Sequence, residues 1–108
     1  MDIIDGVFHG KGINKLKKED ECLFNVISEL DEIVWQEGAI DRKTKKLIAI
    51  AIVASKGNVG GLEKQIRSGK KQFGITKEEV MDVLKVVLLT SGMQAFNSSL
   101  QVVYDIFE

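Results

Sequence analysis

The sequence holds no proline, one cysteine and one histidine in 108 residues. Without proline, nothing inside a helix removes a backbone donor or clashes with the preceding turn, so long helices are free to run. The lone Cys22 closes no intramolecular disulfide. The first ten residues, MDIIDGVFHG, lack the basic flank and long apolar core of a signal peptide, so a cytoplasmic protein is expected. The longest apolar run, Leu47 to Ala54, falls far short of the roughly 20 residues that cross a bilayer, so no membrane partner is expected. Charge of one sign is missing too: 15 basic and 16 acidic residues leave a net charge of −1, which gives no overall field toward nucleic acid.

What is present is a globular mixture, 44% hydrophobic and 29% charged, on a chain long enough for one core. Residues 1–17 mix glycine, lysine and isolated hydrophobics without a period; an arm or irregular lead-in is expected there, before a helical domain over 18–108. His9 lies in that arm and is read as merely exposed. From Glu19, the positions Leu23, Val26, Ile27, Leu30, Ile33 and Val34 follow helical spacing and predict an amphipathic helix ending before Gly38. Asp41 is placed to cap the next helix, whose lysines give way to LIAIAIVA, apolar on every face and expected to be buried all round. After a turn over Gly57 to Gly61, Leu62, Ile66, Gly69 and Phe73 mark a third helix, closed by Gly74 in a left-handed conformation.

Thr76 and Glu79 form a capping box that opens a fourth helix, again apolar over most of its circumference. Ser91-Gly92 interrupts before a last helix from Met93 to Phe107. No long alternation of period two is present, so the fold class is all-α, with five to six helices. Two helices apolar all round exceed what a chain of this size hides alone, and part of their surface is expected to meet other subunits.

Three stretches resemble the carboxymuconolactone decarboxylase and AhpD-like alkylhydroperoxidase superfamily: DRKTKKLIAIAIVAS at 41–55, FGITKEEVMDVLKVV at 73–87 and TSGMQAFNSSLQVV at 90–103. The resemblance implies a small all-helical oligomer, most simply a hexamer built as a ring of dimers, with no cofactor and no metal. In the AhpD-like, peroxiredoxin-related branch it implies a C-x-x-C turn, a histidine four positions on and a glutamate one helix earlier. Those positions fall here on Asn58, Gly61, Gln65 and Lys46. A thiolate that attacks peroxide, a thiol that resolves the sulfenic acid and the bases that tune them are all missing. Cys22 lies in another helix and is read as a buried structural thiol.

The chain is thus similar to a family member that has lost thiol peroxidase chemistry and binds, or acts on, a small molecule. One alternative is a decarboxylase of small carboxylic acids, with Lys46 stabilising charge and Glu63 or Gln65 as further candidates for catalysis, although a histidine stands in that branch where this chain has Gln65. The other is a purely structural oligomer. The expected ligand is a small carboxylic acid held near Lys46 by Asn58 and Gln65. Should Asp41, Glu63 or Glu79 pair with Lys46 instead, the site is structural.

Other features read more plainly. The cluster Gly57, Gly60, Gly61 matches no phosphate-binding motif and is read as a tight turn. The lysine-rich stretches at 15–18, 43–46 and 69–71 are read as solvated helix faces, and no nucleic acid is expected. Trp35 falls on the apolar spacing of the first helix and is read as its anchor.

Overall fold

The computed structural model describes residues 11–108; the expectation for His9 lies outside them. Six α-helices and no strand occur among the described residues. The chain divides into two compact units, the first ending at Arg42 and the second running from Lys43 to Glu108.

The first unit holds α1 (Lys11–Glu19) and α2 (Glu21–Trp35). Helix α1 occupies part of the expected irregular lead-in. Its Ile13 and Leu16 lie three apart and half-buried, Lys17 and Lys18 sit in the last turn where the helix dipole favours cations, and Lys17 stands 5.6 Å from the centre of the Phe24 ring. Asp20 alone separates the two helices. Its N–H donates to the Leu16 carbonyl at 2.7 Å while its carboxylate accepts from the Leu23 N–H at 3.0 Å, closing one helix and opening the next.

The amphipathic stripe of α2 is the one the spacing predicts, but Leu23, Val26, Leu30, Ile33 and Val34 are all exposed. Cys22, expected to be a buried thiol, is exposed as well. It sits in the first turn of α2, beside a stripe that is itself open, so the burial that periodicity promised is not supplied there.

The second unit carries the core. Helices α3 (Arg42–Ser55), α4 (Val59–Phe73), α5 (Lys77–Ser91) and α6 (Met93–Phe107) bury Ile50, Ala54, Leu62, Ile66, Val80, Leu84, Val87, Val102, Val103 and Ile106, with Ile75 between α4 and α5. Each of these isoleucine, leucine and valine side chains contributes roughly 1.5–3 kcal/mol when fully buried. Helix α6 packs on both α4 and α5.

The joints are set by residues chosen for backbone reasons. Gly57 adopts φ +68°, and the N–H groups of Lys56, Gly57 and Asn58 return to the carbonyls of Ile52, Ala54 and Val53, so the end of α3 is satisfied internally. Gly74, at φ +62°, closes α4 as predicted, and the Thr76–Glu79 capping box opens α5. Gly60 and Gly61, expected in the turn, lie inside the first turn of α4. Helix α3 is not buried all round within the chain: Ile48 and Ile52 are exposed, as are Val86 and Leu89 on α5, the latter 86% open. A single copy buries one stripe of each helix and leaves the opposite apolar face bare.

Candidate functional site

The inner stripe of α3 is Lys46, Ile50 and Ala54, spaced by four, so the helical period that buries Ile50 carries Lys46 inward with it. Facing it, α4 turns Leu62, Gln65, Ile66, Ser68 and Gly69 inward. Lys46 is 1% exposed. Its Nζ donates to Gln65 Oε1 at 3.0 Å and to Ser68 Oγ at 2.9 Å, and the Ser68 hydroxyl donates to the Gln65 carbonyl at 3.2 Å. An ammonium taken out of water costs several kcal/mol unless such acceptors surround it, so the three residues act as one unit.

The lysine stem needs room of its own. Gly69 supplies it: a Cβ built there would stand 3.0 Å from Lys46 Cγ and 2.7 Å from Ile75 Cδ1. The absence of a side chain lets the backbone of α4 approach the stem of Lys46.

Asn58 has a different task. It is the N-cap of α4, and its Oδ1 accepts from the Gly61 N–H at 2.9 Å. A Cβ at Gly61 would fall 2.7 Å from Asn58 Nδ2 and 2.9 Å from its Cγ. The first and fourth positions of the turn are therefore locked together as cap and capped backbone. Glu63 stands on the exposed face of α4, accepting from Arg67 Nε at 3.1 Å. Glu79 is taken by the capping box and by Lys43, whose Nζ lies 2.8 Å from its carboxylate. The hydrogen bond from Lys43, followed by the one from the Thr76 backbone, holds the Glu79 carboxyl below its ordinary range.

Of the residues the sequence proposed, the structure thus joins Lys46 and Gln65, and sets Asn58 and Glu63 to capping and ion pairing. Ser68 was missed. Its signal was present, since it follows Gln65 by three and precedes Gly69, on the same side of the helix. In the first unit, the Trp35 indole N–H donates to Asp31 Oδ1 at 3.0 Å, four residues back on α2, so the polar end of the ring is held within its own helix. Among the described residues no group of histidine, cysteine and acidic side chains is arranged to hold a metal ion, and no helix is long and apolar enough to cross a membrane.

Comparison with known proteins gives the same neighbourhood. The profile of the carboxymuconolactone decarboxylase family matches residues 23–105. The uncharacterized protein MJ0742 of Methanocaldococcus jannaschii is 47% identical over 96 residues, covering 89% of this chain and 92% of the relative. A second uncharacterized protein of that organism, MJ1511, is 27% identical over 94 residues, covering 87% of each chain.

Proposed function

The chain belongs to the carboxymuconolactone decarboxylase family, and from that premise we propose that it is a self-assembling, small-molecule-binding member without thiol peroxidase chemistry. The observation that carries this reading is the Asn58–Gly61 cap. Thiol peroxidase chemistry in this turn needs two sulfurs, one to attack and one to resolve. Here the two positions instead hold a side-chain oxygen and the N–H it accepts from, in a geometry where a side chain on residue 61 would displace the Asn58 cap. The chain's one cysteine, Cys22, has no second thiol to resolve it.

The Lys46–Gln65–Ser68 unit has, on this reading, a holding role: it pins α3 to α4 where other members carry relay residues. A ligand carboxylate reaches a lysine that is 1% exposed only by displacing acceptors the protein already supplies. Self-assembly is supported by the bare outer faces of α3 and α5, where Ile48, Ile52, Val86 and Leu89 lie in water. A hexamer is the size that the family resemblance favours.

The test is consumption of hydrogen peroxide and of an organic hydroperoxide in the presence of a dithiol reductant, with the native chain and Cys22→Ser compared. Both are expected to match the protein-free rate. Fast turnover by the native chain that vanishes in Cys22→Ser overturns the reading.

A further inference from the structure

A cleft of about 430 Å³ opens within the second unit, away from Lys46, between the end of α3 and the start of α6. It is lined by Ser55, Lys56 and Gly57 on one side and by Ser91, Gln94 and Ser98 with Ala95 on the other. Its size falls in the roughly 300–1,000 Å³ range of small-molecule sites.

Three properties of the lining point one way. First, its charge is of one sign: among the described residues Lys56 is the single ionised side chain in the cleft, and no acidic residue lines it. Elsewhere on the second unit the cations Lys43, Arg67, Lys77 and Lys85 each have a carboxylate within 3.1 Å, whereas no ion pair engages Lys56 among the described residues. Second, two of its polar side chains have no protein partner: those of Gln94 and Ser98 make no hydrogen bond among the described residues, while Ser55 donates its hydroxyl proton to the Ile52 carbonyl and the Ser91 hydroxyl lies 3.5 Å from that of Thr90. Third, the wall behind Gln94 and Ala95 is the first turn of α6. Its cap residue Gly92, at φ +95°, has no side chain to accept from the N–H groups there, which adds partial positive charge to the same side of the cleft.

We propose that this cleft binds a small organic acid, with its carboxylate between the Lys56 ammonium and the donors of Gln94 and Ser98. The assignment rests on the small-molecule reading above and moves the ligand from Lys46 to Lys56. A carboxylate suits the lining because its two oxygens take several donors at once, one of them charged. The rest of the molecule lies over Ala95 and Gly57, the two lining residues without a polar side chain.

The experiment is calorimetric titration of the full chain with succinate, benzoate and inorganic phosphate, at low and at physiological ionic strength. It is repeated on Lys56→Gln and Gln94→Ala, two exposed positions whose replacement leaves the core intact, with thermal melts to establish that each variant is folded. The expected result is binding of at least one of the two carboxylates, weaker at higher salt, with a loss of about tenfold or more in Lys56→Gln, the scale of one charge-assisted hydrogen bond. No carboxylate binding to the native chain, native affinity in a folded Lys56→Gln, or binding of inorganic phosphate alone would each overturn the proposal. The peroxide assay and this titration report on different atoms, so loss of either conclusion leaves the other standing or falling on its own data.

Discussion

Alanine substitutions at Gly60 and Gly69 are expected to change stability in opposite directions, although both residues lie in α4. In a helix interior, glycine is about 1 kcal/mol less favourable than alanine, because it has more backbone entropy to lose. At Gly60 nothing lies within 4 Å of an added Cβ, so Gly60→Ala gains that preference, less some loss from its place in the first turn, and stabilises by roughly 0.5–1 kcal/mol. At Gly69 the same methyl meets Ile75 Cδ1 at 2.7 Å and Lys46 Cγ at 3.0 Å, and all three residues are buried. Relief requires Ile75 to leave its rotamer or α3 and α4 to move apart, and overpacking of this kind costs about 1–3 kcal/mol. Set against the same helix preference, Gly69→Ala destabilises by about 1 kcal/mol. The two variants then differ by about 2 kcal/mol, or some 8 °C in melting temperature at about 4 °C per kcal/mol for a domain of this length. Thermal and urea unfolding at one fixed protein concentration measure this. Equal stabilisation by both substitutions would show that α4 does not approach Lys46 as closely as described, and the tight Lys46–Gln65–Ser68 unit would go with it.

Further outcomes follow from the same contacts. Because the Glu79 carboxyl titrates below its ordinary range of about 4.5 in the folded chain, it contributes stability that is present above that value and is lost as the pH falls through the depressed folded one. The stability difference between native protein and Glu79→Gln should therefore be present at neutral pH and shrink in acid; a difference independent of pH would sink the Lys43–Glu79 assignment. Light scattering at micromolar concentration should give a mass several times that of one chain, and Leu89→Lys, which places charge on the most exposed apolar side chain of α5, should lower it. A monomeric native chain would refute self-assembly.

Much of the second unit was legible from sequence because its signals are local. Thr76-x-x-Glu79 and Gly74 fix the ends of two helices by backbone chemistry alone, and both fall where the sequence puts them. Lys46 and Gln65 were legible through the family pattern, and the four-residue spacing of Lys46 to Ile50 explains why the contact is buried. Legibility failed where burial depends on what lies opposite. Periodicity says which side of α2 is apolar but not whether that side is covered, and so misplaced Cys22 in the interior. It likewise says that α3 and α5 are apolar over most of their circumference but not which side their own chain covers, which is the Ile50 side of one and the Leu84 side of the other. The role of Asn58 was hidden for another reason. A residue type at an active-site position was read as a ligand group, although asparagine immediately before the first residue of a helix is also a plain capping signal.

That cap makes the replacement of the cysteine pair a coupled change, and a double-mutant cycle measures the coupling. Adding a Cβ at residue 61 drives it to within 2.7–3.1 Å of three Asn58 side-chain atoms, so the cap must swing away and its bond to the residue 61 N–H is lost. Loss of an asparagine cap costs about 1 kcal/mol, close to what alanine gains over glycine in a helix, and Gly61→Ala should leave native stability nearly unchanged. In an Asn58→Ala background there is neither a cap to lose nor a side chain to strike, and the same Gly61→Ala substitution should stabilise by roughly 0.5–1 kcal/mol. The interaction energy between the two sites is then about 1 kcal/mol, read from urea unfolding of the four proteins. An identical effect of Gly61→Ala in both backgrounds would mean that Asn58 does not cap α4. If the coupling is found, any side chain at 61, a cysteine included, comes at the cost of the Asn58 cap, about 1 kcal/mol.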